Sequence, residues 1–161
     1  CKPRNLQCFQ CPLLKFCAAH KCGVAKDLPV RPPKRAKPTR RGVVFWLENT
    51  NGKILLRRRP EHGLLGGMMA FPSTDWREKN WDVDEAIKMA PFNLSWKPLS
   101  GKVRHTFTHF HLELTVLLGH LCLRQEEEQD VWSRPEYFVN YALPTLMKKI
   151  AKHVISTSHF E

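Results

Sequence analysis

The chain has 161 residues, of which 42% are apolar and 25% charged, a composition typical of globular proteins. This length allows one hydrophobic core with an appendage, and no apolar run approaches the roughly 20 residues of a membrane span. We therefore expect a soluble, intracellular protein without membrane association. Of the six cysteines, Cys22 and Cys122 are isolated, so the set makes a poor disulfide framework and indicates a reducing compartment.

The formal net charge of +11 is unevenly distributed. Residues 1–59 contain 15 Lys and Arg and 2 acidic residues, whereas residues 60–161 contain 11 and 13. A basic first third attached to a nearly neutral remainder favours a polyanionic partner bound through phosphates. A basic segment that only keeps the chain solvated is the alternative.

Four cysteines fall within the first seventeen residues, with the spacing C-x6-C-x2-C-x5-C: Cys1, Cys8, Cys11 and Cys17. Cysteine thiolates suit zinc or an iron–sulfur cluster. Zinc ribbons usually carry two separate C-x-x-C pairs, whereas this segment has one. The residues alone leave an iron–sulfur cluster, zinc and disulfides open. Three basic residues of this segment are candidates for contact with phosphates: Lys2, Arg4 and Lys15.

Residues 24–41 contain four prolines and seven Lys or Arg. Such a segment cannot bury apolar area, so we predict an extended basic linker between residues 1–23 and a second domain at 42–161. Its cations would follow a DNA backbone or remain solvated.

The second domain opens with a predicted β-hairpin. Residues 42–48 and 53–59 are rich in apolar and β-branched side chains and flank a turn at 49–52. Arg57, Arg58 and Arg59 end the second strand. Arg57 and Arg58 are candidate phosphate contacts, and a solvated strand end is the alternative.

Two helices are predicted in this domain, after a packed loop or short strand at residues 62–73. Asp82 followed by Glu85 resembles a capping box at the start of a short amphipathic helix. A last helix is predicted to begin near Pro144, with an apolar stripe that includes Met147 and Val154.

Residues 97–123 give the longest β-signal, and the apolar alternation changes phase near Phe107. A change of phase predicts a turn or bulge at residues 107–109. An acidic loop at 124–130 and one more strand at 136–139 are also expected.

The order of elements predicts an α+β domain with a mixed sheet and resembles the Nudix fold. The Nudix hydrolase box, G-x5-E-x7-R-E-U-x-E-E-x-G-U with U apolar, carries glutamates for the catalytic magnesium. Counted from Gly67, its required positions hold Ser73, Trp81, Asp82, Glu85, Ala86 and Lys88. Too few carboxylates remain to hold magnesium, so we predict no nucleotide hydrolysis.

The cysteine spacing, the basic linker and the motifs GLLGGMMAFP and RHTFTHFHLEL occur in one order that resembles the A/G-specific adenine DNA glycosylases of the MutY type. The resemblance implies a four-iron four-sulfur cluster on Cys1, Cys8, Cys11 and Cys17. It also implies that Phe107, Thr108 and His109 correspond to a Phe-Ser-His loop that recognises 8-oxoguanine, with threonine in place of serine.

The resemblance further implies that the catalytic acids and a helix-hairpin-helix domain precede Cys1, so this chain alone is expected to be inactive. The implied partner is double-stranded DNA containing an 8-oxoguanine:adenine pair. We expect a monomer in a bacterial cytoplasm, associated with the nucleoid.

Two other interpretations of the hairpin fit the same residues. Phe107 would be an ordinary core residue, or His105, His109 and His111 would form a metal site, although no carboxylate or cysteine lies nearby at ligand-like spacing. For the whole chain, the alternatives are a Nudix hydrolase with an atypical box and a zinc-binding interaction module.

Overall fold

A computed structural model describes residues 1–2, 5–30, 36–122 and 130–158. It divides into two compact units, Cys1–Ala36 and Lys37–Glu161. In the described part of the chain, no helix has the length and apolar character needed to cross a membrane.

The first unit consists of short helical turns. Two 3-10 turns, Cys8–Gln10 and Leu14–Phe16, are followed by the single helical turn α1 (Ala18–Lys21) and a 3-10 turn at Ala25–Asp27. None of the described residues in these four turns is buried. Their large side chains are correspondingly open, with Phe9 at 92% and Phe16 at 83% exposure. The described residues of this unit therefore form no buried apolar core.

The second unit is built on a seven-stranded mixed sheet. Its strands are β1 (Thr39–Asn49), β2 (Ile54–Arg58), β3 (Met69–Ala70), β4 (Lys97–Pro98), β5 (Val103–Thr106), β6 (His111–Leu121) and β7 (Asp130–Ser133). The main order is β3-β2-β1-β6-β4, while β5 also pairs with β6 and β7 with β2. The mixed sheet and the predicted first hairpin are thereby confirmed.

The longest pairing in the sheet is parallel. Strands β1 and β6 run side by side from Thr39↔His111 to Asn49↔Leu121. β1 therefore begins three residues before the strand predicted from Gly42. Its middle, residues 43–47, is buried on both sides, as expected for a central strand that pairs with β2 and β6.

Helices cover the two faces of the sheet. α3 (Thr145–Ser158) packs with Met147, Ile150 and Val154 against one face, in a cluster that includes Val44 and Leu114. The opposite face of β1 packs with α2 (Val83–Ile87) and Trp96. The predicted apolar stripe of the last helix is confirmed: Met147, Ile150 and Val154 are at most 3% exposed, and Leu143, which precedes the helix, is 5% exposed.

One predicted strand is wrong. Residues 136–139 lie in a 3-10 helix, Pro135–Asn140, in which Pro135 occupies the first turn. Only Phe138 is buried there, while Tyr137 and Val139 are 58% and 84% exposed. The strand of this part of the chain is β7, which pairs with β2 and begins at Asp130, a residue that the sequence places in the acidic loop. The remainder of that loop, 124–129, lies outside the described residues.

Candidate nucleic-acid interface

The loop between β5 and β6, residues 107–110, carries the three predicted recognition residues. It closes a hairpin in which the Phe107 N–H donates to the Phe110 carbonyl at 2.9 Å. Thr108 and His109 are exposed, Phe107 is half-buried and Phe110 is buried. The change of phase predicted a turn here, and the structure confirms it. The loop presents a hydroxyl and an imidazole to solvent next to an aromatic ring.

Phe107 is part of an aromatic cluster beneath this loop. Its ring lies 4.6 Å from that of His105, 4.9 Å from Phe110 and 5.8 Å from Trp76, measured between ring centroids. The Trp76 and Phe107 rings are stacked with an interplanar angle of 26°. Such contacts fix the position of a ring that keeps part of its surface open. Phe107 is therefore neither a plain core residue nor a free side chain.

Three cations surround the aromatic cluster. Lys37 Nζ donates to the Phe107 carbonyl at 2.9 Å. The guanidinium carbon of Arg40 lies 4.6 Å from the centre of the Phe110 ring, and that of Arg59 lies 5.4 Å from Trp76. These are cation–π distances. The loop therefore lies in a positively charged surface, which suits a phosphate backbone.

The sequence did not indicate Lys37, Arg40 or Trp76 as parts of this site. The sequence places Lys37 and Arg40 in the predicted linker, yet the parallel pairing of Thr39 with His111 brings this end of the linker to the hairpin. A parallel pairing between segments about seventy residues apart leaves no local signal in the sequence. The high density of cations in the linker was the only available indication.

The three histidines of the hairpin have different surroundings. His105 has a depressed pKa, first because burial penalises its charged form and second because Lys149 is nearby. Its Nδ1 is buried and has no hydrogen-bond partner in the described part of the protein. His111 Nδ1 lies 2.9 Å from Thr106 Oγ1, and His109 is exposed. The three imidazole rings are therefore not positioned to bind one shared ligand.

The two arginines predicted to contact phosphates differ in their contacts. Arg57 Nε donates to Asp130 Oδ1 at 2.6 Å, and the Asp130 side chain is fully buried. Arg58 donates to the Gly67 carbonyl and pairs with Glu61 at 2.9 Å, while its side chain remains 66% exposed. Arg57 therefore joins β2 to β7, and Arg58 is the more accessible of the two.

In the segment that corresponds to the Nudix box, Asp82 and Glu85 are the carboxylates at required positions of the box, and both have partners. Asp82 caps α2 by accepting from the Asp84 N–H at 2.9 Å. Glu85 forms a bidentate ion pair with Arg77, and this hydrogen bonding lowers the pKa of Glu85. Arg77 also lies over the ring of Trp81 at 3.6 Å. Glu85 thus forms an ion pair with arginine, where a hydrolase would use the carboxylate for magnesium.

Four of the five cysteines of the first unit line one cavity of about 890 Å³: Cys1, Cys8, Cys11 and Cys17. All four are free thiols; Cys1 is exposed and Cys8, Cys11 and Cys17 are half-buried. Among the described residues, no three His, Cys, Asp or Glu side chains are arranged to hold a metal ion. Four cysteine thiols are the donors that an iron–sulfur cluster uses. In the described structure, however, these four side chains are not arranged as a metal-binding group.

The basic residues predicted near these cysteines are only partly described. Lys2 and Lys15 are exposed, and Lys2 also lines the cavity. Arg4 lies outside the described residues.

Comparison with known proteins identifies relatives of this chain. Residues 43–153 match the family model of the NUDIX domain. Over 130 residues the chain is 28% identical to the adenine DNA glycosylase of Homo sapiens, covering 74% of this chain and 24% of that protein. It is 24% identical over 123 residues to the adenine DNA glycosylase of Schizosaccharomyces pombe, covering 52% and 27%. The chain thus matches about a quarter of the length of these relatives.

Two solved structures share the fold. The C-terminal domain of mouse MUTYH, in complex with human PCNA, aligns with a TM-score of 0.56 and 23% identity, covering 73% of this chain and 88% of that one. The MutT protein of Methanosarcina mazei aligns with a TM-score of 0.57 and 19% identity, covering 79% and 98%. The predicted resemblance to the C-terminal part of adenine DNA glycosylases and the Nudix-like fold are confirmed.

Proposed function

Since this chain belongs to the NUDIX domain family and is similar to adenine DNA glycosylases, we propose that it is the C-terminal part of such a glycosylase. The whole enzyme would remove adenine paired with 8-oxoguanine in double-stranded DNA. This chain would contribute DNA contact and recognition of the oxidised base. The adenine would be flipped into a pocket and its glycosidic bond cleaved by carboxyl groups of a preceding helix-hairpin-helix domain.

The recognition chemistry is assigned to Phe107, Thr108 and His109. Oxidation converts guanine N7 from an acceptor into an N–H donor beside a new carbonyl at C8. A hydroxyl both accepts and donates, so the exposed Thr108 side chain is suited to this changed edge. The open part of the Phe107 ring would contact the base pair, worth about 1–3 kcal/mol where bases stack on aromatic rings. His109 would contact a base or a phosphate.

One observation carries this proposal. The 107–110 loop holds Thr108 and His109 exposed above an aromatic cluster, with Lys37, Arg40 and Arg59 around it. A site that recognises one altered base must expose polar groups for the base edge on a fixed support, and it must tolerate phosphates nearby. Support for the enzyme class comes from the two glycosylase relatives.

The remaining parts of the proposal concern the first unit and the setting of the protein. Cys1, Cys8, Cys11 and Cys17 would hold a four-iron four-sulfur cluster that shapes a basic loop bearing Lys2, Arg4 and Lys15. Residues 24–41 would connect this loop to the recognition domain. The protein would act as a monomer at the nucleoid in a bacterial cytoplasm. Iron and acid-labile sulfide in the purified full-length protein would support the cluster, and zinc alone would contradict it.

The test is a comparison of affinities in the full-length protein. Binding is measured to duplexes that differ only in an 8-oxoguanine:adenine or a guanine:adenine pair. Thr108→Ala should lower the preference for the oxidised base by roughly three- to tenfold, the worth of one or two hydrogen bonds. Phe107→Ala should weaken binding to both duplexes and reduce the preference.

The matched control is Thr50→Ala, which removes the same atoms from the exposed turn of the other hairpin. It should leave the preference unchanged. If Thr108→Ala and Phe107→Ala also leave it unchanged, the assignment of the loop is wrong. Magnesium-dependent turnover of nucleoside diphosphate derivatives by this chain would instead favour a Nudix hydrolase.

A further inference from the structure

Trp76 lies in the segment between β3 and α2, which is hydrogen-bonded to β1. Arg41 and Arg77 exchange two backbone hydrogen bonds, with N···O distances of 2.6 and 3.1 Å. The Thr74 N–H donates to the Val43 carbonyl at 2.9 Å, and the Val43 N–H donates to Thr74 Oγ1 at 3.0 Å. Thr74 is only 3% exposed. The backbone on both sides of Trp76 is therefore fixed to the central strand.

The side chain of Trp76 extends from this segment to the 107–110 loop. It stacks on Phe107 and lies 6.3 Å from the Phe110 ring, while Arg59 lies over its face. The 107–110 loop itself is closed by one backbone hydrogen bond, from the Phe107 N–H to the Phe110 carbonyl. The stacked indole is thus a rigid connection between a fixed strand and Phe107.

Gly42 leaves the space that Trp76 occupies. A Cβ atom at residue 42 would lie 2.7 Å from Trp76 Cδ1 and 3.0 Å from Leu114 Cδ2. Contacts below 3 Å between carbon atoms are repulsive, and the indole ring has no flexible end that could move aside. Any larger residue at position 42 would therefore displace Trp76.

We propose that Trp76 is a positioning residue for lesion recognition: it holds Phe107, and with it the Thr108 hydroxyl, at the position where the altered base is contacted. This inference rests on the proposed function of the loop. A group that contacts a ligand discriminates well only when neighbouring side chains lock its position. The segment that carries catalytic glutamates in Nudix hydrolases would here serve as the support of a recognition loop.

The test uses the full-length protein and the ratio of its affinities for 8-oxoguanine:adenine and guanine:adenine duplexes. Trp76→Leu should lower this ratio by roughly three- to tenfold, as expected for loss of a stacked aromatic pair. Trp76→Phe, which keeps a ring, should restore part of it. Gly42→Ala should lower the ratio although it leaves every side chain of the 107–110 loop intact.

The matched control is Trp132→Leu, because Trp132 is a half-buried indole that packs in the cluster on the opposite face of the sheet from Trp76. It should lower the melting temperature without changing the ratio. Hydrogen exchange without DNA supplies a second readout: the amides of residues 107–110 should exchange faster in Trp76→Leu, relative to those in the middle of β6.

Failure of this inference can be distinguished from failure of the proposed function. If Thr108→Ala lowers the ratio while a folded Trp76→Leu protein does not, the positioning role is overturned and the recognition role stands. If neither variant changes the ratio, the recognition role fails and the positioning role fails with it. An equal loss of ratio in Trp132→Leu and Trp76→Leu would overturn the inference as a general effect of instability.

Discussion

The two hairpin turns of the sheet are held in different ways. In the β1–β2 turn, Asn49 Oδ1 accepts hydrogen bonds from the Asn51 and Lys53 N–H groups, both at 3.0 Å. The 107–110 loop instead depends on side chains far away in sequence, Lys37 and Trp76. A turn stabilised by its own residues needs nothing else from the fold. The position of a loop that is held by residues distant in sequence is set by the rest of the domain. A recognition loop requires such a fixed position.

The largest effect should come from removing the buried anchor of the 107–110 loop. Phe110 is 7% exposed and contacts Phe107, Trp76 and Arg40. Phe110→Ala should reduce the free energy of unfolding by about 3–5 kcal/mol, the range for large aromatic truncations in cores. Urea denaturation measures it. Val139→Ala, at an 84% exposed position, should change it by less than about 0.5 kcal/mol. Equal effects would contradict the anchoring role.

The next effect concerns the locally stabilised turn. Asn49→Ala removes the acceptor of two backbone N–H groups and should cost about 1 kcal/mol of unfolding free energy, while Asn49→Asp, which keeps an acceptor, should cost less. Amide exchange in the 107–110 loop should not change. Faster exchange there would show that the two turns are coupled and would remove the contrast between them.

A smaller effect is expected at the external support of the loop. Lys37→Met removes the donor to the Phe107 carbonyl but keeps most of the aliphatic stem. Because this bond is exposed, the free energy of unfolding should fall by no more than about 0.5–1 kcal/mol. Amide exchange of Phe107 and Phe110 should nevertheless accelerate. Lys53→Met, at an exposed position beside the other turn, serves as control and should leave this exchange unaltered.

The smallest effect is a pH dependence from His105. Burial and Lys149 lower its pKa below the ordinary value of 6.5, so the unfolded chain binds the proton more readily than the folded one. Above pH 6.5, His105 is neutral in both states and does not reduce the free energy of unfolding. That free energy falls as the pH drops from 6.5 towards the folded-state pKa of His105. His105→Gln should flatten the stability profile below pH 6.5, and His109→Gln should not. An unchanged profile in His105→Gln would contradict the pKa shift.

Sequence patterns predicted the structural features that depend on residues close together in the chain. The hairpin at 49–52, the turn near Phe107 and the apolar stripe of α3 all follow from period and turn chemistry. The strand predicted at 136–139 is wrong because Pro135, the residue directly before it, favours a helical first turn. Trp76 and Lys37 were missed because their contacts with Phe107 depend on strand pairing between distant segments.

The parallel pairing of β1 with β6 has a practical consequence for dissecting this protein. A recombinant fragment beginning at Gly42 would lack the three residues that pair with His111, Leu112 and Glu113, and it would also lack Lys37. The start of β6 would then become an unprotected edge, which invites aggregation and loosens the adjoining hairpin. Fragments intended for crystallisation or titration with DNA should therefore begin at or before Ala36.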